Sequence, residues 1–433
     1  MKNRHGSKEA AFRAVSLVFI LTITLISSGC VSFTYQQDVL EKHLMLQQPE
    51  KALKALDDQK LSDRDKVLYH LNKGILLRMQ GELQASNTAL EQAKPIIETL
   101  DALSLREQAA AISVNDAMRS YLPALFERAM LHTIMALNYL ELGENNSARV
   151  EALQLNELLK QNNDNNQLPF AHYIIGLIFE ANDELDDAMI AYRQTYNDYR
   201  ANNTKIPLLL QQDLLRLSEH LGIHDEQKKY QDEFQLKEWP TQAELKQKGQ
   251  IVAVIFNGLI PRKHSQAISA ASFNNGQLHR ISVPFYETRI PQIRSITLLA
   301  AGQRSQAELI DQLDQHANAN LRAQMPAIIA RTVARVSVKN KLVDNASGQS
   351  PLLGIALNIA TFVSEQADTR AWNTLPQNIL IARTTLLPEK YDIELKLDNQ
   401  YSKLWPDVKI TKDTLHFISW HWANSNATGT RPR

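Results

Sequence analysis

Small residues recur on a common spacing through the first half of the chain, and that spacing dictates how its helices must pair. In LNKGILLRMQGELQASNTALEQA, Leu71 and Gly74 lie three apart, Gly81 follows seven later, and Ser86, Leu90 and Ala93 come at intervals of five, four and three. LHTIMALNYLELGENNSARVEAL repeats the grid with Ala136, Tyr139, Gly143 and Ala148, and AHYIIGLIFEANDELDDAMIAYRQTY does so with Gly176, Phe179, Ala188 and Tyr192. From Gln36 to about Phe234 the texture is helical, with apolar residues at helical period and asparagine or glycine breaks between blocks. A helical pair built this way exposes an apolar face it cannot bury alone, so neighbouring pairs must stack into a curved array.

These blocks resemble the tetratricopeptide repeat, in which a small residue on the first helix lets the second cross close to it. The small positions Gly74, Ala136 and Gly176 are 62 and 40 residues apart, against about 34 in that family. PIIETLDALSLREQAAAISVNDAMRSYLP interrupts the array as additional helix and loop, and PEKALKALDD and LLRLSEHLGIHDEQKKY read as degenerate or capping members. An irregular helical bundle is the other architecture this pattern allows. In the resembling family the first helices line a concave groove for a peptide or a partner's helix. Its groove positions fall here on Leu71, Ile75 and Arg78, on Thr133, Leu137 and Leu140, and on Tyr173, Leu177 and Glu180. Most are apolar, which suits an amphipathic partner helix or the chain's own segment better than a charged tail. An inserted element that fills the groove would turn the same residues into core.

After Trp239 and Pro240 the texture changes to α+β. GQIVAVIFNGL reads as a strand closing on an Asn257-Gly258 turn, and QAISAASF and QLHRISVPFY flank NNG as a hairpin. From Gln306 to about Leu342 the pattern is helical, with Pro326 expected in the first turn of PAIIARTVARVSVKNKLV. That helix carries an apolar stripe through Ile328, Ile329, Val333, Val336 and Val338 and a basic flank at Arg331, Arg335, Lys339 and Lys341, which a solvated face or an anionic surface would both explain. Leu352 to Val363 reads as a short buried helix. ILIARTTLLP, KYDIELKLDN and DVKITKDTLHFISWHW are strand-like. The fold class expected is therefore α+β overall: a helical array over 30–240, then a mixed sheet with two or more helices over 241–433. Charge divides at the same place. Val31 to Pro240 holds 21 Lys and Arg against 32 Asp and Glu, while Thr241 to Arg433 holds 22 against 14, so the halves are suited to attract each other or to face different partners.

Residues 1–29 have the form of a secretory leader, with Lys2, Arg4, Lys8 and Arg13 before an uncharged run from Ala14 to Ile26 that is too short to span a bilayer. The only cysteine, Cys30, follows Ser27, Ser28 and Gly29, which resembles the bacterial lipobox, although Ser27 stands where that pattern prefers Leu, Val or Ile. The resemblance implies a diacylated thiol at the mature N-terminus, and Val31 in place of Asp implies the outer membrane, with the body facing the periplasm. A single cysteine leaves no structural disulfide and no thiolate metal site for the mature chain.

Catalytic motifs are missing where their mechanics can be tested. No His-Glu pair has a second histidine in zinc-peptidase register, no serine has a lysine three later, and there is no nucleophile elbow or phosphate-cradling loop. His220 and His224 precede Asp225 and Glu226, but Gly222 between them marks a turn; His416 and His421 fall on opposite faces of a strand. No catalytic residue, metal or cofactor is assigned, nor nucleic acid as a partner. Glycosidase-type carboxylate pairs are a property of the fold and stay open. In QADTRAWNTLP, Asp368 and Arg370 can bracket a turn beside Thr369, Trp372 and Leu375 can plug a core, and Pro376 can open a strand; an exposed Arg-Trp pair could instead hold a sugar or carboxylate. With the lipobox, the interrupted repeats, NGLIPRK and PAIIARTVAR, this motif resembles an uncharacterised proteobacterial lipoprotein family. That resemblance hints at cell-wall work and supplies no catalytic residue. The function expected is a lipid-anchored scaffold or assembly factor binding protein partners of the envelope, the alternative being a glycan-acting envelope enzyme with its site in the second half.

Overall fold

A computed structural model describes residues 37–59, 61–107, 119–161, 167–271, 278–349 and 367–427. The leader, Cys30 and the segment holding Leu352 to Val363 lie outside the described residues, as does part of the inserted stretch.

The first half is a helical array. Residues 37–45 form α1, followed by α2 (Pro49–Asp57), α3 (Lys66–Met79), α4 (Leu83–Glu91), α5 (Lys94–Glu107), α6 (Leu125–Glu141), α7 (Asn145–Gln161), α8 (Pro169–Ala181), α9 (Leu185–Ala201), α10 (Leu208–His220), α11 (His224–Phe234) and the short α12 (Gln242–Leu245). Helices α3 and α4, α6 and α7, α8 and α9, and α10 and α11 pack as antiparallel pairs. Close approach explains the small positions: a Cβ on Gly74 would lie 2.5 Å from Leu90 Cδ2, and one on Gly176 would enter the ring of Tyr192. Gly81 and Gly143 end the first helices of two pairs with φ of +85° and +76°, the left-handed conformation that lets the next amides return to the helix carbonyls.

The second half builds two four-stranded sheets. Its strands are β1 (Gly249–Leu259), β2 (Lys263–Ala271), β3 (Leu278–Tyr286), β4 (Arg289–Pro291), β5 (Ile296–Ala300), β6 (Gln303–Gln306), β7 (Glu308–Gln312), then after helix α13 (Leu313–Gln349), β8 (Pro376–Leu386), β9 (Lys390–Leu397), β10 (Tyr401–Lys409), β11 (Leu415–Trp422) and β12 (Ser425–Ala427). One sheet has the order β11-β1-β8-β7, the other β10-β9-β5-β6; β2 pairs with β3 and β12 with β4. Period-two alternation divides β1 between two cores. Val252, Val254 and Phe256 join the core of the helical array, whereas Ile251, Ala253 and Ile255 pack on the second sheet. Every residue of β1 is buried, as befits a central strand between layers.

Two local expectations are corrected. Asn257-Gly258 is not a hairpin turn: β1 runs through both residues, Gly258 takes φ +75° inside it, and the Asn257 amide donates to the Ile293 carbonyl at 3.0 Å. Pro326 does not open its helix but lies inside α13, which begins at Leu313. The reason is the apolar face, which starts before the proline at Leu313, Ala317 and Leu321 and continues at Ile328 beyond it, so burial holds the helix across a residue that would end an isolated one. The β2–β3 hairpin and the start of β8 at Pro376 are found as the sequence suggests.

Candidate functional site

The residues that the repeat pattern assigns to a groove converge on one place, where the β11-β1-β8-β7 sheet lies against the first helices. Leu71, Ile75, Leu137, Leu140 and Leu177 are buried in the same core as Val252, Val254 and Phe256. Thr133 is buried with its hydroxyl bonded back to the Ala129 carbonyl at 2.8 Å. As an open surface for a partner these positions are therefore corrected: the chain's own sheet occupies the groove.

Two polar groove residues, Arg78 and Tyr173, clamp that sheet. Arg78 donates through Nε to His421 Nε2 at 3.2 Å and through Nη2 to Ser419 Oγ at 2.7 Å, and also bonds Asn138 and Glu141 across the groove. The His421 ring stacks on Phe256 at 4.3 Å; burial, with the positive charges of Arg78 and Lys403, pushes its pKa well below the ordinary value. Two repeats later Tyr173 donates to Asp213 Oδ2 at 2.9 Å and accepts from Arg383 of β8 at 2.7 Å, while Arg383 also reaches Asp213 Oδ1 at 2.7 Å. Arg216 joins Asp213 at 2.9 Å to Glu180 at 2.8 Å, and Tyr192 donates to the same Glu180 oxygen. Burial alone would raise the Asp213 pKa, but Arg383 and Arg216 outweigh it and hold the carboxylate charged.

The C-terminal motif is a third clamp. Arg370 forks onto Asp368 at 2.9 and 2.7 Å, reaches Asp65 at 2.9 Å and donates to the Arg119 carbonyl at 2.7 Å. Trp372 is fully buried, its backbone N–H donating to Glu127 at 2.9 Å, and Thr374 bonds Asn72 at 2.9 Å. Thr369, between Asp368 and Arg370, is half-buried. The motif thus threads into the array, and Arg370 with Trp372 is not an exposed ligand pair.

Three further contributors carried no motif. Glu308 of β7 accepts from the Leu208 and Leu209 amides at the start of α10, and Asp311 accepts from the Phe170 amide at the start of α8, so one strand caps two first helices. Arg383 stands alone in a strand. A signal that was present is a histidine four residues before each small position: His70, His132 and His172. Two of these hold buried carboxylates, His132 to Glu151 at 2.7 Å and His172 to Asp198 at 2.6 Å. Among the described residues no group of three or more His, Cys, Asp or Glu is placed to hold a metal ion, and no helix is long and apolar enough to cross a membrane. His220 ends α10 and His224 starts α11, with Gly222 in the turn between them.

Fold and clamps define a class: a tetratricopeptide-like helical array closed on a two-sheet α+β half. No protein-family model matches the chain, and no curated protein does. Among solved structures it is similar to a crystal structure of MamA, at 17% identity over 44% of this chain and 90% of that one with a TM-score of 0.31. It is similar also to MamA 41-end from Desulfovibrio magneticus RS-1, at 13% identity over 47% and 90% with a TM-score of 0.30. Likeness at this level bears on neither chemistry nor partner.

Proposed function

We propose that this protein is a lipid-anchored, periplasm-facing scaffold or assembly factor of the cell envelope, acting by binding proteins and not by turnover, with cell-wall synthesis machinery as the partner its sequence resemblance suggests. One observation carries the reading. The inner face of the array is engaged by the chain's own sheet through Arg78 and Tyr173, so the array's remaining surface is an outer face of amphipathic helices, a surface suited to other proteins. The lipobox at Cys30 supports the location. Two acyl chains, each CH₂ contributing about 0.8 kcal/mol, would hold the body on a bilayer and concentrate it near its targets.

The test is crosslinking in intact cells, followed by mass spectrometry, on the full chain and on Cys30→Ala. Labelled palmitate is expected in the first and not in the second, which should leave the membrane fraction. Recovery of cell-wall synthases or outer-membrane assembly proteins, lost with Cys30→Ala, supports the scaffold. Absence of palmitate from the full chain overturns the anchor, and recovery of only the protein itself overturns the partner.

A further inference from the structure

Second helices follow one another along the outer face, and charge bridges the seams between them. In the first seam Lys94, the first residue of α5 just after α4, reaches Glu151 of α7 at 2.7 Å and Gln154 at 3.2 Å. In the last, between α9 and α11, Arg193 pairs with Glu226 at 2.8 Å, Tyr196 bonds Glu233 at 2.6 Å and Arg200 reaches Glu233 at 3.2 Å. The middle seam, between α7 and α9, is pinned at one end by Arg149 and Glu184 at 2.6 Å and then opens into a cleft of about 690 Å³, floored by Ile175 and Phe179 of α8.

The middle seam departs from the repeat pattern of its neighbour. Ala148 and Ala188 are equivalent and forty residues apart, so Leu153 stands where Arg193 stands in the next seam. Counting from the N-caps Glu184 of α9 and Ile223 of α11, Asp187 stands where Glu226 stands. The bridging arginine has become a leucine. Leu153 is 43% exposed and Ile190, on the opposite wall, 59% exposed, an apolar pair at the mouth where the neighbouring seams carry ions. Helical stripes line the cleft. Positions 149, 153, 156 and 160 of α7 face it, a length of about 16 Å at about 1.5 Å per residue, or three turns. Arg149 on the α7 wall is engaged by Glu184, and Asp198 on the α9 wall is buried against His172, so the charges presented to the cleft are Lys160 on α7 and Asp187 on α9.

We propose that this cleft is the docking groove for an amphipathic helix of a partner protein, lying along α7 and α9 with its apolar edge between Leu153 and Ile190. The guest's acidic flank faces Lys160 and its basic flank faces Asp187, because the two walls differ in sign. Three turns of guest match the length of the groove. The proposal rests on the binding role argued above and names its surface.

The probe is a fluorescein-labelled synthetic helix of about fourteen residues, long enough for the groove, with leucines along one edge, glutamates on one flank and lysines on the other. Two controls keep the leucines but carry only glutamate or only lysine on both flanks. Fluorescence anisotropy with the full chain should show the mixed helix binding with a Kd of roughly tens of micromolar, about tenfold tighter than either control. Leu153→Arg restores the arginine of the neighbouring seam opposite Asp187, and should weaken the mixed helix about tenfold or more with thermal unfolding unchanged. Equal binding of all three helices, or undiminished binding by Leu153→Arg, overturns the proposal. So does a concentration-dependent dimer that Leu153→Arg dissolves in sedimentation, since the occupant would then be a second copy. Partner capture in cells with no preference for the mixed helix would remove this groove and leave the scaffold standing.

Discussion

Arg370 illustrates how much one side chain can hold when its partners are fixed. Its guanidinium joins Asp368 in its own loop, Asp65 beside α3 and the carbonyl of Arg119, contacts that need a planar fork. Arg370→Lys keeps the charge but reaches at most one of the outer partners, so it should cost about 1–3 kcal/mol, read as a lowered urea midpoint with unchanged slope. The pairing with Asp368 is legible in QADTRAWNTLP because it spans two residues; Asp65 is 305 residues away, and no local pattern points to it. His421 carries a pH dependence of definite sign. Its folded pKa is depressed while the unfolded imidazole titrates near 6.5, so its contribution is complete above that value and is lost as the pH falls below it. His421→Gln keeps an acceptor for Arg78 without a titrating proton. The loss of melting temperature between about pH 7.5 and about pH 5 should therefore be smaller in that variant than in the wild type.

At the scale of elements, helix pairs announce themselves through volume. Gly74 faces Leu90 and Gly176 faces Tyr192, and the equivalent residues of the middle pair are Ala136 and Ala152, both fully buried. A large residue opposite glycine and alanine opposite alanine fill similar space, which is why the grid is legible in the amino-acid sequence alone. Gly176→Ala breaks that complement. Its methyl group overlaps a buried ring whose hydroxyl is held by Glu180, so the variant should lose about 1–3 kcal/mol, measured by thermal or denaturant unfolding. Strand and helix boundaries are less legible for a related reason. Asn257-Gly258 and Pro326 are strong local breakers, yet β1 is buried along its whole length and α13 has an apolar face on both sides of the proline, so tertiary burial overrides the local signal. Glu308 and Asp311 are not legible as caps at all, because the helices they cap lie about a hundred residues earlier in the chain for one and still farther for the other.

On the scale of the whole molecule, the compositional boundary near Pro240 is not a boundary in the core. One hydrophobic cluster runs from Val67 through the repeats to Val252, Phe256, Trp372 and Phe417, and the opposed charges of the halves meet as pairs: Asp38 with Arg262, Glu41 with Arg289, Asp65 with Arg370 and Asp213 with Arg383. Asp213 and Arg383 are almost fully buried, so removing one half strands charge as well as apolar surface. A chain comprising residues 30–240 alone would expose the faces of α3, α6 and α8 that now carry the sheet, and would leave Asp213 without one of its two arginines. It should not form a stable array: circular dichroism is expected to show reduced helix with no sharp thermal transition, and the fragment should bind a hydrophobic dye. The full chain should instead unfold in one calorimetric transition whose van't Hoff and measured enthalpies agree. Two separated transitions, or a fragment melting cooperatively near the full-length temperature, would mean that the sheet is a removable occupant of the groove and not part of the core that makes the array.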